Sequence, residues 1–330
     1  MRVLVTGGAG YIGSHMVKML LEQSVEVAIF DNFSTGHRDA VLGGTLVEGD
    51  ILDLSALDAA FRRNRFDAVM HFASLIQVEE SMREPAKYFR NNIVGTVHLL
   101  DIAVAHGVKH FVFSSSAAIF GEPCYTPIDE EHPTQPLSPY GFSKLAVERV
   151  LADYERAYGL HSISLRYFNA AGADPEGNRG EAHDPETHLI PLILQAASGR
   201  RGSVKIYGDD YPTADGTCVR DYVHVVDLCD AHLLALEYLR RTNRSAAFNL
   251  GNSRGYSVKE VIGAAERVVG RSVPVERHDR RPGDPAILVA DSTRAKAELG
   301  WRPRFDDIDT IVRHAWQWEQ RLAKKEKVAN

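Results

Sequence analysis

VLVTGGAGYIGSHMVKMLLE, residues 3–22, moves from a short apolar strand through a glycine-rich turn into an amphipathic helix. Its glycines at Gly7, Gly10 and Gly13 have GxxGxxG spacing. The early glycines let the backbone turn tightly and approach a pyrophosphate, and Gly13 lets the helix pack close to the strand. The helix N-terminus then offers free N–H groups and a partial positive charge to phosphates. A strand–helix turn without a ligand uses glycines too, so the next unit has to decide. A second strand, Val25 to Phe30, ends in Asp31, 18 residues beyond Gly13. A carboxylate there accepts from both hydroxyls of an adenosine ribose and repels a 2′-phosphate, which favours NAD over NADP. His37 and Arg38 are the counter-argument, and a plain strand-end cap is the alternative role for Asp31.

The alternation continues. Thr45 to Glu48 reads as a strand, with Asp50 and Ile51 just past its end. Leu54 to Arg63 reads as a helix, and Ala68 to His71 as a strand emptying into Phe72, Ala73 and Ser74. Pro85 to His106 has helical periodicity with Asn91, Asn92 and Gly95 inside it, and Lys109 to Phe113 is the next strand, running into Ser114, Ser115 and Ser116. Repeated βα units of this length predict an α/β fold with a doubly wound, Rossmann-like parallel sheet, whose ligands sit beyond the C-terminal strand ends. Ser162 to Tyr167 continues the pattern, and Phe168 to Gly180 is a polar loop where the composition shifts. A domain boundary is expected there. Residues 1–170 form the dinucleotide-binding domain, residues 222–250 return a strand to it, and residues 171–330 form a smaller mixed α/β substrate domain.

A helix pattern starting near Tyr140 runs to about Tyr158 and stops at Gly159. Tyr140 and Lys144 are four residues apart on it, so phenol and ammonium share one face. Bringing a phenol from about 10 to about 7 takes roughly 4 kcal/mol of preference for the phenolate. One ammonium rarely supplies that, so a second positive charge is expected, and an oxidised nicotinamide is one.

The chain has 330 residues, 44% hydrophobic and 25% charged, with a net charge of −6. That balance gives no hint of a nucleic-acid face or a polybasic membrane patch. Cys124, Cys218 and Cys229 have no CxxC spacing, and the histidines show no HExxH-like pair. Disulfides and a metal are therefore not expected. No apolar run reaches the roughly 18 residues that span a bilayer. Met1 and Arg2 lead straight into a strand, so no signal peptide is expected and a cytoplasmic location is. Ile308 to Arg321 is amphipathic, with Trp316 and Trp318, and reads as core packing more simply than as a partner face.

TGGAGYIG, Asp31-Asn32, HFA at His71 to Ala73, the serine strand end, YGFSK and RYFNAAGA at Arg166 to Ala173 together resemble the extended short-chain dehydrogenase/reductases. HLIP at His188 to Pro191, IYGDDYPTADGTCVRDYVHVVDL at Ile206 to Leu228 and RRPGDP at Arg280 to Pro285 are similar to the UDP-glucose (UDP-galactose) 4-epimerase family among them. The resemblance implies that Tyr140 is the base, Lys144 holds the nicotinamide ribose and lowers the phenol, and Ser116 bonds the sugar oxygen. It implies cofactor contacts from Gly7, Gly10, Tyr11, Ile12, Gly13, Asp31, Asn32, Asp50, Ile51, Phe72, Ala73, Ser74, Asn91 and Phe168. UDP-sugar contacts fall on Asn169, His188, Leu189, Lys205 to Tyr207, Arg220 and Arg281 to Asp284, with Leu288 beside the sugar's C2 substituent. A homodimer is implied by the resemblance alone.

Two positions depart from common members. Ile76 stands where many carry a Lys, and Ala118 where a Thr is frequent. Dehydratase relatives carry an acid/base pair after the serine strand, and Ala117-Ala118 counts against that chemistry. The expected activity is UDP-hexose 4-epimerisation through a transient 4-keto sugar and NADH, with UDP-N-acetylhexosamines also accepted. The alternatives are a 4-epimerase of UDP-pentoses or UDP-uronates, and a non-catalytic NAD-binding regulator.

Overall fold

The computed structural model describes residues 1–281 and 284–329, so Pro282 and Gly283 of the RRPGDP string lie outside the described residues. The chain opens with β1 (Arg2–Thr6), α1 (Tyr11–Glu22), β2 (Glu26–Asp31), β3 (Thr45–Glu48), α2 (Leu54–Arg63) and β4 (Ala68–His71). Short helices α3 (Val78–Arg83) and α4 (Pro85–Tyr88) lead through a π-helical turn, Phe89–Val94, into α5 (Gly95–Ala105). Next come β5 (His110–Ser116), α6 (Pro139–Tyr158), β6 (His161–Tyr167) and β7 (Asn169–Ala171). The remainder holds α7 (Leu189–Ser198), β8 (Val204–Tyr207), β9 (Val219–His224), α8 (Val225–Thr242), β10 (Ala246–Leu250), β11 (Gly255–Ser257), α9 (Val258–Val269), β12 (Val275–His278), β13 (Ile287–Leu288) and α10 (Ile308–Ala329).

Seven strands form one sheet in the order β10-β6-β5-β4-β1-β2-β3, and every pairing in it is parallel. Order reverses at β1, so the crevice between β1 and β4 opens at their C-terminal ends, where such sheets hold ligands. Successive strand residues face opposite sides, and both sides are covered. Val3, Val5, Ile29 and Met70 pack with α1 and α8. Leu4, Ala28, Phe30 and Val69 pack with α2, α5 and α6. Each large apolar side chain so buried contributes about 1.5–3 kcal/mol.

β10 pairs in parallel with β6 through Ala246↔Ile163 to Leu250↔Tyr167, so residues from beyond the polar loop complete the first sheet. A third apolar cluster joins α7, α9 and α10 through Ile193, Leu194, Val261, Ala265, Ile311 and Val312. Trp316 packs against that cluster, and the Trp318 indole N–H donates to the Glu181 carbonyl at 2.8 Å. Both aromatics are thus engaged by the chain itself.

Three local features depart from the sequence reading. The strand carrying the serines does not stop at Phe113; β5 continues to Ser116 because β6 pairs along that whole length. The Pro85–His106 segment widens into a π-turn at the two asparagines. The polar loop after Phe168 contains β7, which pairs with β9 from Asn169↔Tyr222 to Ala171↔His224.

Candidate active site

The glycine turn is compact for steric reasons. Gly7 has φ +71°, and a Cβ there would lie 2.7 Å from the Ala73 nitrogen. A Cβ on Gly13 would lie 2.1 Å from the Gly7 carbonyl oxygen. The turn therefore presses against both the end of β4 and its own helix. Gly10 caps α1 in extended conformation with no side chain in the way. Tyr11 donates its hydroxyl to the Gly172 carbonyl at 2.7 Å, and Ile12 packs against the sheet core.

Asp31 is buried, and its two oxygens accept the Ala9 and Phe33 N–H groups at 2.8 Å each. Burial pushes its carboxyl above the usual range, and the two N–H donors oppose that. It is thus a cap and still has lone pairs for a ribose diol. The two neighbours that argued for a phosphate are engaged elsewhere. Arg38 donates to both Glu48 oxygens at 2.7 Å, and His37 donates Nε2–H to the Ala182 carbonyl at 2.6 Å. Asn32 donates to Asp50 at 2.8 Å, and Ile51 sits where a Cβ on Gly95 would collide.

At the other side of the crevice, the Ser138 hydroxyl caps α6 by accepting the Gly141 N–H at 3.1 Å, and Pro139 fixes the first turn. Lys144 is 1% exposed. Its ammonium donates to the Ser114 carbonyl at 2.7 Å and the Ser74 hydroxyl at 2.9 Å. Burial pulls it down to about 7, with Glu148 one turn on opposing. Burial pushes the Tyr140 phenol up, and the hydrogen-bonded Ser116 hydroxyl pulls it back. Ser116 Oγ also accepts the Ala118 N–H at 3.1 Å. Within the chain alone, then, Lys144 does not depress the phenol as the sequence reading expects. Its donors point at β5 and Ser74, and its nitrogen is 5.8 Å from the Tyr140 ring centre.

Strands β7, β9 and β13 assemble the remaining positions. Asn169 donates to the Asp221 carbonyl at 2.9 Å. Arg220 pairs with the Asp284 carboxylate and donates to the Val219 carbonyl. Leu288 sits opposite Arg220 in the β13–β9 register and packs with Phe168 against Ala117, Ile119, Phe120 and Ile128. Leu288 therefore adjoins the turn that follows Ser116. Arg281 stacks over the Tyr207 ring at 3.9 Å, and Lys205 is exposed on β8. Leu189 opens α7 and His188 caps it. The Phe72 ring lies tilted against His232, their centres 4.8 Å apart, and Asn91 donates to Asn92 at 2.9 Å.

A family described as NAD dependent epimerase/dehydratase matches residues 3–251. The chain belongs to the NAD dependent epimerase/dehydratase family. The UDP-glucose 4-epimerase of Halalkalibacterium halodurans is 51% identical over 320 residues, 97% of this chain and 96% of that one. The NAD complex of the Brucella ovis UDP-glucose 4-epimerase superposes with TM-score 0.93 at 50% identity, covering 96% of this chain and 97% of that one. The Campylobacter jejuni UDP-Glc/GlcNAc 4-epimerase gives TM-score 0.85 at 42% identity, with 97% and 99% covered.

This member of the epimerase/dehydratase family also carries working polar groups that spacing does not single out. Asn92 is 1% exposed. It donates to the Ser143 hydroxyl and the Leu75 carbonyl at 3.0 Å each, and Ser143 donates to the Tyr140 carbonyl at 2.7 Å. Helix-poor asparagines in mid-helix are the available signal, and π-turns concentrate at such places. Glu148 accepts from Ser115 at 2.5 Å and from Arg166 at 2.7 Å, tying α6 to β5 and β6. Finally, Glu181, His183, Glu186 and His188 bring one potential ligand atom each within 4.8 Å of one another.

Proposed function

We propose that this protein is an NAD-dependent UDP-glucose/UDP-galactose 4-epimerase. The observation that supports the reading is the grouping at the C-terminal end of β5: the Lys144 ammonium donates to the Ser114 carbonyl, the Ser116 hydroxyl bonds the Tyr140 phenol, and Leu288 packs against the turn after Ser116. The alternative, a 4-epimerase of another nucleotide sugar, shares these residues. A silent NAD-binding regulator would have no use for a half-buried Ser116–Tyr140 contact beside a buried ammonium. NAD, when bound, would supply the hydride acceptor for C4. Tyr140 takes the 4-hydroxyl proton and gives it back, Ser116 orients that oxygen, and Lys144 would hold the nicotinamide ribose. Gly7, Gly10, Tyr11, Ile12, Gly13, Asp31, Asn32, Asp50, Ile51, Phe72, Ala73, Ser74, Asn91 and Phe168 hold the cofactor. Asn169, His188, Leu189, Lys205, Tyr207, Arg220, Arg281, Asp284 and Leu288 hold the UDP-hexose. Residues 1–170 with 222–250 carry the cofactor, and residues 171–330 the sugar nucleotide.

Incubation with UDP-galactose and no added NAD is expected to yield UDP-glucose; absence of turnover with NAD bound would sink the reading. Acid denaturation is expected to release NAD, since Arg38 and His37 are already engaged, and recovery of NADP would overturn the role given to Asp31.

The protein works as a homodimer in the cytoplasm. Supporting the dimer, Phe142 and Val94 are 50% and 43% exposed on adjoining helical segments; supporting the location, Cys124, Cys218 and Cys229 are all free thiols. No helix among the described residues is long and apolar enough to cross a membrane.

Leu288 favours a broad sugar range. A leucine leaves space beside C2 that a tyrosine would fill, so UDP-N-acetylglucosamine is expected to be epimerised with kcat/KM comparable to UDP-glucose. Leu288→Tyr is expected to cut turnover of the acetylated sugar by about 100-fold, ~2.8 kcal/mol, and that of the plain hexose by only a few fold. An unaltered preference in the variant would reject the assignment.

A further inference from the structure

The loop from Gly180 to His188 contains five ionisable side chains that the epimerisation step does not use, and four of them, Glu181, His183, Glu186 and His188, gather together. Two are carboxylates buried almost completely: the side chains of Glu181 and Glu186 are 5% and 4% exposed. Buried carboxylates demand partners, and here both turn toward the His188 ring. Glu181 Oε1 accepts a short hydrogen bond from His188 Nδ1–H and a second, at 3.0 Å, from His183. Glu186 Oε1 lies 3.6 Å from the same His188 nitrogen and accepts the Thr187 and His188 backbone N–H groups at 2.7 and 2.9 Å. The loop backbone is fixed independently, by Trp318 donating to the Glu181 carbonyl and by the Trp318 ring lying where a Cβ on Gly180 would go.

These contacts decide the orientation of the imidazole. Its Nδ1 side is enclosed by carboxylates, so that nitrogen carries a proton, and the Nε2 side is the one left open. The His188 side chain is 44% exposed. Although His188 caps α7, its ring makes no hydrogen bond to the helix's first turn, and Nε2 has no partner among the described residues. The ring therefore offers a single outward N–H. The groups facing it are Glu181, His183 and Glu186 from its own loop, with the Tyr11 phenol of α1 facing the two carboxylates. Coulombic attraction to Glu181 and hydrogen bonds to both carboxylates hold the ring up to about 10, against the pull of burial.

We infer that Glu181 is a positioning residue for substrate recognition: it orients His188 so that the outward Nε2–H donates to an anionic oxygen of a bound nucleoside diphosphate. This deepens the proposed epimerase reading and rests on it. The direction is supported by α7, which leaves His188 to pack its Ile193 and Leu194 against Val204 and Ile206 of β8, the strand carrying Lys205 and Tyr207. An imidazolium donor makes a charge-assisted hydrogen bond to phosphate, roughly twice as strong as a neutral one. The same four side chains also have the spacing of a cation site. Protons already occupy it, however, with two rings donating to one Glu181 oxygen and two backbone N–H groups to Glu186.

The test measures binding of UDP and of uridine to the NAD-loaded holoenzyme by calorimetry, at about pH 6 and about pH 8.5. Because the terminal phosphate of UDP itself loses a proton over this range, each variant is read as its UDP-over-uridine preference divided by that of the unaltered protein at the same pH. In Glu181→Gln, His188 falls back toward its ordinary value of about 6.5. That ratio should then drop about tenfold between the two pH values while uridine affinity stays level. His188→Asn, a change on the half-open ring, is expected to weaken UDP about tenfold at both pH values without affecting uridine. A Glu181→Gln profile that matches the unaltered protein would overturn the inference. So would a parallel loss of UDP and uridine, which marks a merely structural role. Stoichiometric binding of Zn²⁺ alone to the unaltered protein, with proton release, would reassign the cluster to a metal. If the unaltered holoenzyme binds uridine and UDP equally weakly, the epimerase reading fails and takes the inference with it.

Discussion

Tyr140→Phe is expected to lower kcat by about 10²–10⁴-fold, the usual worth of a positioned general base, while KM for the nucleotide sugar changes little. The phenol ring is retained, so packing along α6 survives, and the one lost atom is the oxygen that Ser116 contacts. The size of the effect follows from what the surroundings do to that oxygen. Burial pushes the phenol up and draws the Lys144 ammonium down to about 7, so both groups resist charging within the chain itself. Only a nearby cation can reverse this, since every tenfold gain in acidity takes about 1.4 kcal/mol. The phenol is accordingly expected to be a stronger acid beside oxidised than beside reduced nicotinamide. Spectroscopic titration of Tyr140 in the two redox forms checks this, and equal values would refute the coupling. A Tyr140→Phe variant with kcat within a few fold of the unaltered protein would remove Tyr140 from the base role altogether.

The second large effect belongs to Gly13→Ala. The added carbon would lie 2.1 Å from the Gly7 carbonyl oxygen and 2.9 Å from the Gly8 Cα. Both are backbone atoms, so no side-chain rotation relieves the clash; α1 must move away from β1. Overpacking of this kind costs about 1–3 kcal/mol or more, and here it displaces the turn proposed to face the cofactor phosphates. The expected outcome is a chain purified without dinucleotide, with cofactor affinity reduced more than about 100-fold (~2.8 kcal/mol) and a lowered Tm. Gly263→Ala is the control. It lies within α9, where the new methyl meets only the Arg267 side chain at 3.6 Å, and Ala is the better helix former by about 1 kcal/mol. Bound nucleotide measured after gel filtration separates the two. Full retention of NAD by Gly13→Ala would mean that the turn does not set the phosphate site.

Much of this architecture can be read from residue order because its causes are local. The β1–α1–β2 unit is legible since the glycine spacing, the helix start and the terminal Asp31 lie within 31 residues. Ser257 starts α9 for an equally local reason, forming a capping box with Glu260. What stays hidden depends on chain segments meeting from afar. Nothing near Ser114 says that β5 continues to Ser116; β6 supplies the partners that extend it. Glu181 and His188 are seven residues apart, a spacing that shares a face only on a helix, and here it is the path of a loop that brings them together. Asn92 is visible as an awkward helix residue, but its bond to Ser143, 51 positions away, is not. Asp31 is instructive in a different way. Cap and ribose ligand look like rival roles in the bare sequence, whereas an acceptor with two oxygens satisfies two N–H groups and keeps capacity to spare.

β10 reaches β6 only after the chain has travelled away through β7, α7, β8, β9 and α8. The dinucleotide half is therefore not a separable module. A fragment ending near residue 170 would leave β6 as an open edge with five residues, Ile163 to Tyr167, stripped of partners, and would uncover Leu165 and Tyr167 where α8 had lain. Unpaired apolar edges of that sort invite intermolecular pairing. Shuffling this half onto another substrate unit thus requires carrying the later strand along with it.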